Sequence, residues 1–274
     1  MQIMGILNVT PDSFSDGGNF FAPEEAVEYA LRMVEEGADI IDVGGESSRP
    51  GAAPVSVEEE LRRVIPVIRA LRALSSVAIS VDTTKAIVAA QAVEAGATMI
   101  NDISAGCFDP EMFSVAARFQ VPICLMHMQG TPKTMQENPA YENVTLEVKN
   151  FLRERIAVAT AAGIAREKII VDPGIGFGKR VEDNLALLQK LAALQELGCP
   201  ILVGASRKSF IGALTGASVE NRLPGSLAAG ALALRGGTQI LRVHDVAATK
   251  QFVLVFKCLK NKFYSTSTLK HSNT

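Results

Sequence analysis

Short apolar runs alternate along the chain with longer stretches in which apolar residues recur every three or four positions. Eight of the short runs read as strands: Ile3–Val9, Ile40–Val43, Ala78–Val81, Met99–Asn101, Pro122–Met126, Ile169–Asp172, Ile201–Gly204 and Ile240–Val243. They are apolar on both faces, the pattern of a buried parallel sheet. Amphipathic patterns fill the intervals at Pro23–Glu36, Val57–Leu74, Lys85–Ala95, Pro110–Phe119, Val144–Ala162, Val181–Leu197 and Asn221–Arg235, with a less regular one near Ala247–Leu259. In the first, Ala26/Val27, Ala30/Leu31 and Val34 repeat at helical spacing while Glu24, Glu28, Arg32 and Glu35 take the opposite face. Pro23 suits a first helical turn and Gly37 the position just past the end. Eight β-α units predict one α/β domain, a (β/α)8 barrel over residues 1–260 with its active site at the C-terminal ends of the strands. The alternative is an open doubly wound sheet, but no G-x-G-x-x-G follows the first strand. Residues 261–274, rich in Ser, Thr, Lys and Asn, read as a frayed polar tail.

Composition changes this picture little. In 274 residues, 48% are apolar and 20% charged, ordinary for a chain that buries a sizeable core. A formal charge of −2 leaves no nucleic-acid or polybasic membrane footprint. No apolar run approaches the roughly 18 residues of a membrane span, and the first strand runs straight into a polar segment instead of forming a signal peptide. The four cysteines lie far apart with no C-x-x-C pair, which argues against a zinc ribbon or disulfide framework. Three of them sit in apolar surroundings and are expected as small core residues, in a reducing, cytoplasmic compartment.

The chemistry of such a barrel is read from its strand ends. In order these offer Asn8, the loop Gly44–Gly51, Asp82, Asn101-Asp102, His127, Asp172 with Pro173–Lys179, the loop Gly204–Ser209, and Arg242-Val-His244. A buried, unpaired carboxylate costs several kcal/mol, so Asp82 and Asp172 each require a partner. Arg49, Arg207, Lys208, Arg242 and His244 supply positive charge and the neighbouring glycines supply N–H donors, equipment for a phosphorylated or otherwise anionic ligand. Asp82, Asn101 and Asp172 suit a heterocycle with amidine-like N–H groups. Other signals fail. Gly174–Lys179 is one residue short of a phosphate loop, and Arg180 stands where such a loop needs Ser or Thr. His127, His244 and His271 lack metal-ligand spacing, Ser206 and Ser209 lack a G-x-S-x-G context, and Met126-His-Met128 reads as a packed wall.

Seven ordered segments carry a resemblance: Asn8–Gly18, Gly44–Gly51, Ser80–Lys85, Ile100–Ile103, Asp172–Lys179, Ser206–Phe210 and Arg242–Asp245. Together, over about Met4 to Val246, the chain resembles the dihydropteroate synthase family of pterin-binding barrels. The resemblance implies joining 4-aminobenzoate to 6-hydroxymethyl-7,8-dihydropterin diphosphate, with release of pyrophosphate and formation of 7,8-dihydropteroate. It implies that Asp82, Asn101, Met126, Asp172, Phe177 and Lys208 hold the pterin. It gives Asn8, Ser48, Arg49, Arg242 and His244 to the diphosphate, and Phe177, Lys208, Ser209 and Arg49 to the aminobenzoate. Catalysis falls to Asn8, Asp82, Lys208, Arg242 and His244, with Mg2+ as cofactor positioned by Asn8. A homodimer, sensitivity to sulfonamides, and a lid over Thr10–Gly18 that orders over the diphosphate are further implications. Two rival readings are a folate/corrinoid methyltransferase-type barrel, which would share the pterin residues but not need Ser206–Ser209 and the diphosphate lid, and a non-catalytic pterin-binding homologue, which need not keep Asn8, Arg49, Lys208 and Arg242.

Overall fold

The computed structural model describes residues 1–10, 23–49 and 51–260. Within them the strands are β1 (Gln2–Asn8), β2 (Ile40–Gly44), β3 (Ala78–Asp82), β4 (Met99–Asp102), β5 (Ile123–Met126), β6 (Ile169–Asp172), β7 (Leu202–Val203) and β8 (Ile240–Val243). The helices are α1 (Pro23–Glu35), α2 (Val57–Leu74), α3 (Ala86–Ala95), α4 (Met112–Phe119), α5 (Val144–Ala161), α6 (Val181–Gln189), α7 (Ser209–Thr215), α8 (Leu223–Arg235) and α9 (Val246–Lys260). The strands pair in parallel in the order β6-β5-β4-β3-β2-β1-β8-β7. A bridge between Val171 and Ile201, with the Val171 N–H donating to the Pro200 carbonyl at 2.9 Å, joins the two ends of that order. The expected (β/α)8 barrel is therefore the observed fold, with helices outside and the strands' outward side chains packed against them.

Strand geometry sets what lies inside. Successive side chains point to opposite faces, so residues two apart share a face. Met4, Ile40, Met99, Cys124, Ile170, Leu202 and Ile240 form one apolar cluster, with Ala78 against it, and this is the floor of the barrel. Counting two residues onward from each gives Ile6, Asp42, Asn101, Met126, Asp172, Gly204, Arg242 and Ser80. The layer above an apolar floor is thus largely polar, and it looks toward the open C-terminal ends.

Three elements differ from the pattern-based expectation. Helix α7 stands where the chain reads as a loop: at seven residues it is too short to show a repeat, and it is held by the buried Phe210 and Ile211. The stretch Val181–Leu197 is α6 followed by a 3-10 helix at Leu191–Leu197. Its buried Leu191, Leu194 and Leu197 are spaced by three, which matches three residues per turn. A short 3-10 turn, Val219–Asn221, precedes α8. Two cysteines are buried rather than three: Cys124 and Cys199 are in the core, Cys107 lies in the exposed turn after β4, and Cys258 on the outer face of α9. The lid beyond Thr10 and the tail 261–274 lie outside the described residues. Among the described residues no helix is long and apolar enough to cross a membrane.

Candidate active site

Three side chains of the polar layer, Asp42, Asn101 and Arg242, and Asp82 two residues above Ser80 on β3 form a charged lattice at the barrel centre. Arg242, on β8, donates from Nε to Asp42 Oδ2 and from Nη2 to Asp82 Oδ2, each at 2.6 Å. Asn101, on β4, donates from Nδ2 to the same Asp42 oxygen at 3.0 Å. Asp42 is fully buried, so its charge is tolerable only because a guanidinium meets it at hydrogen-bonding distance. Burial raises the Asp82 carboxyl, and Asp42, Glu60 and Asp102 add to that effect while Arg242 opposes it. Burial works against the Arg242 charge too, but Asp42 and Asp82 outweigh it and keep the guanidinium protonated.

Sequence reasoning assigned Asp82, Asn101 and Arg242 and missed Asp42. Its signal was present: a carboxylate inside the apolar run Ile40–Val43, two residues beyond an inward-facing Ile.

The opposite wall comes from β5, β6 and the loops after β6 and β7. Asp172 ends β6, and its Oδ1 accepts from the Gly174 N–H at 2.7 Å. Burial raises this carboxyl to about 6, opposed by the Gly174 N–H, Lys208, Arg242 and Lys179. Lys208 is drawn down to about 8, by burial and then by Arg242, with Asp172 and Asp82 acting the other way. Its Nζ sits 3.9 Å from the centroid of the Phe177 ring, a cation–π contact. Phe177 packs with Ile103, Met126 and Met135, with Met128 against them. So Met126, Phe177, Lys208 and Asp172 line one wall, apolar with a charged edge. Met126-His-Met128 is indeed a packed wall: His127 turns away from the barrel and meets the Phe151 ring edge-on at 5.0 Å.

Two expectations about charge are corrected. His244 is not a cation at neutral pH: burial, then Arg242 and Arg207, lower it to about 4. Its Nδ1 lies 3.0 Å from Ser206 Oγ, so it serves as a neutral, oriented ring. Arg207 is taken by Asp245, at 3.0 Å from Nε and 2.5 Å from Nη2, and does not join the anion-binding set. Asn8 is half-buried at the end of β1, beside Gly44 of β2. Ser48 is half-buried, and Arg49 and Ser209 are exposed at the rim. Lys179, which closes the glycine-rich run Gly174–Lys179, is buried with its Nζ 3.0 Å from His127 Nδ1.

A second unforeseen cluster holds the loop that carries Ser48 and Arg49. Lys85, at the start of α3, donates to Glu46 of that loop and, at 2.5 Å, to Glu60 of α2. Glu60 reads as one of three glutamates favouring the helix dipole, yet it is buried, because α2 turns it toward Lys85. Glu46, Ser47, Ser48, Glu60, Asp82 and Lys85 border a cavity of about 460 Å³ among the described residues.

The lattice, the aromatic wall and their order along the strands point to one family. Residues 4–244 match the family described as pterin binding enzyme. The chain is 52% identical over 254 residues to the dihydropteroate synthase of Escherichia coli K12, covering 93% of this chain and 90% of that relative. The chain belongs to the dihydropteroate synthase family. A structure of the Xanthomonas albilineans dihydropteroate synthase with 4-aminobenzoic acid is similar with a TM-score of 0.90 at 51% identity, covering 95% of this chain and 93% of that one. The Yersinia pestis dihydropteroate synthase in a sulfonamide drug complex is similar with a TM-score of 0.90 at 46% identity, covering 94% of each chain. Within the dihydropteroate synthase family the predicted pterin residues Asp82, Asn101, Met126, Asp172, Phe177 and Lys208 now have one common location, the mouth of this barrel.

Proposed function

We propose that this mouth condenses 6-hydroxymethyl-7,8-dihydropterin diphosphate with 4-aminobenzoate, giving 7,8-dihydropteroate and pyrophosphate. The observation that carries the reading is the meeting of Asp82, Asn101, Asp172, Lys208 and Arg242 above one apolar floor. The carboxylates accept from the N–H-rich edge of the pterin. Asn101 uses its Nδ2 on Asp42 and keeps its Oδ1 as an acceptor for the ligand. Arg242 commits two N–H groups to carboxylates; the remainder are available to the leaving group. Neutral His244 adds a hydrogen-bond donor once Ser206 fixes its tautomer. With the diphosphate charge met in this way, the bond from the pterin methylene carbon to oxygen breaks first, and the electron-rich ring supports the carbon cation. The arylamine then attacks that carbon and releases one N–H proton. An arylamine is already neutral at pH 7, so no strong general base is required, in keeping with the lack of a nucleophile–His–Asp triad in the sequence.

Magnesium fits this donor set as a largely substrate-held ion. Among the described residues no group of three His, Cys, Asp or Glu side chains is placed to hold a metal. Mg2+ keeps several waters and binds through one or two protein oxygens plus phosphates, so the Asn8 amide oxygen with the diphosphate would suffice. When bound, it would neutralise charge on the departing pyrophosphate. A homodimer and a cytoplasmic location belong to the same proposal; thiols left free at Cys107, Cys124, Cys199 and Cys258 support a reducing compartment.

The test follows pyrophosphate release from the pterin diphosphate and magnesium, with and without 4-aminobenzoate. Aminobenzoate-dependent release with dihydropteroate in equal amount is the expected result. Pterin binding without turnover would instead identify a non-catalytic homologue.

A further inference from the structure

Behind the aromatic wall lies a buried lysine that the chemistry above does not use. Lys179 is 3% exposed. Its Nζ meets three acceptors: the Phe177 carbonyl at 2.9 Å, His127 Nδ1 at 3.0 Å and the His127 carbonyl at 3.3 Å. All three are uncharged, for burial and the Lys179 charge lower His127 to about 3. A buried ammonium without a contacting carboxylate is expensive, so its retention in a dry place asks for a reason.

Two structural facts supply one. First, Lys179 ties two walls together. The Phe177 carbonyl belongs to the loop after β6, and His127 follows Met126 at the end of β5. The same two segments approach so closely that a Cβ on Gly174 would collide with the His127 carbonyl, and one on Gly178 with the Gln129 carbonyl. Gln136 Nε2 donates to the Gly176 carbonyl at 3.0 Å and Tyr141 Oη to the Gly178 carbonyl at 2.6 Å, so the loop is also held from outside. Second, the His127 N–H donates to the Asp172 carbonyl at 3.0 Å, which sets the end of β6 beside this knot; burial lowers Lys179 to about 7 and raises Asp172 to about 6, and each favours the other's charged form.

We propose that Lys179 is a positioning residue of the pterin site: its side chain pins the Phe177 wall to the end of β5 and so fixes the surroundings of the Asp172 carboxylate. The inference rests on the pterin reading above. The charged and titratable groups that act on this pair are named from each side. His127 comes from the end of β5, Asp183 from α6, Lys208 from the loop after β7 and Arg242 from β8; the Gly174 N–H lies on the loop itself. Lys208 and Arg242 also favour ionised Asp172, so Lys179 supplies part of that effect, and its removal shifts the Asp172 ionisation without abolishing it.

The test measures 6-hydroxymethylpterin affinity by calorimetry from acid to neutral pH, for the wild-type protein, Lys179→Met and Lys179→Gln. Protonated Asp172 loses an acceptor for the pterin N–H groups, so wild-type affinity falls on the acid side. Without the Lys179 charge the Asp172 carboxyl titrates higher, so the acid fall should move to higher pH. A change of packing alone would weaken binding equally at every pH. Lys179→Gln keeps a donor for the carbonyls and decides the matter if Lys179→Met does not fold. An acid fall left in place by Lys179→Gln overturns this inference alone. A wild-type protein that binds no pterin at any pH overturns the pterin reading and this inference with it.

Discussion

Replacing Asp42 by Asn isolates the lattice, because Asp42 is fully buried and acts on the site through its partners Arg242 and Asn101. One oxygen, Oδ2, receives both the Arg242 Nε–H at 2.6 Å and the Asn101 Nδ2–H at 3.0 Å. An Asn can turn its one oxygen to both donors, because the other Asp42 oxygen meets no hydrogen-bond partner, but it brings no charge to them. Hydrogen bonds to charged groups contribute about 1.5–3 kcal/mol. The figure of about 3–5 kcal/mol for orphaning a buried charge is too large here, since Asp82 still holds Arg242. A loss of about 2 kcal/mol is therefore expected, which lowers Tm by about 4–8 °C in a chain of this size. The guanidinium also loses one of its two fixed arms. If about 1.4 kcal/mol of its orientation toward the leaving group is lost, kcat falls about tenfold, while KM for aminobenzoate stays near wild type. Thermal denaturation and steady-state pyrophosphate release measure both. Asp42→Leu, which leaves both donors unanswered, should lose more than Asp42→Asn. An Asp42→Asn enzyme with unchanged Tm and full kcat would refute the claim that this carboxylate positions Arg242.

Other outcomes follow from the same geometry. His244 has its pKa lowered in the folded state, so the unfolded chain takes up its proton first; stability from the neutral ring is present above the ordinary histidine range and is lost as pH falls from about 6.5 to about 4. His244→Gln should flatten the acid side of a urea-midpoint-against-pH curve in that window, and an unaltered slope would count against the neutral assignment. Gly174→Ala should destabilise far more than Gly51→Ala: both glycines have positive φ, 69° and 79°, but a Cβ at 174 strikes the His127 carbonyl whereas one at 51 meets nothing within 4 Å. Denaturation midpoints should place Gly51→Ala about 1–2 kcal/mol below wild type, the usual penalty of a left-handed non-glycine residue, with Gly174→Ala well below it. Sulfonamides should inhibit competitively with 4-aminobenzoate, because no inserted residue interrupts Pro173–Lys179 beside Phe177; a rate unaffected by high drug concentration would contradict this.

Much of the molecule was legible because the barrel couples pattern to place. Apolar runs predict all eight strands, and their C-terminal ends alone bring Asp82, Asn101, Asp172, Lys208 and Arg242 together. Residues lying deeper than the strand ends were not found that way. Asp42 sits one layer below the rim, where only the two-residue alternation from Ile40 reveals it. Glu60 is one of three glutamates in the first turn of α2, where the helix dipole alone accounts for it in the sequence, and its burial depends on Lys85 arriving from another unit. The neutrality of His244 follows first from burial and then from cations contributed by β8 and the loop after β7, a sum over space that local sequence does not contain. Helix α7 is too short to declare a period, and Leu191, Leu194 and Leu197 announce a spacing of three that passes for part of a longer helix.

The joint between β6 and β7 gives the barrel the character of a split ring. Elsewhere neighbouring strands pair over two to five residues, but here the single Val171–Ile201 bridge, just ahead of the two-residue β7, makes the join. Phe177 leaves one lip of that gap and Lys208 the other, and their ring-to-ammonium contact spans it. A ligand gripped by both residues would therefore act as a clasp, drawing the lips together from above. The slackest joint of the scaffold thus lies between the two residues of that contact, so occupancy by a ligand held by both and cohesion of the ring should rise and fall together.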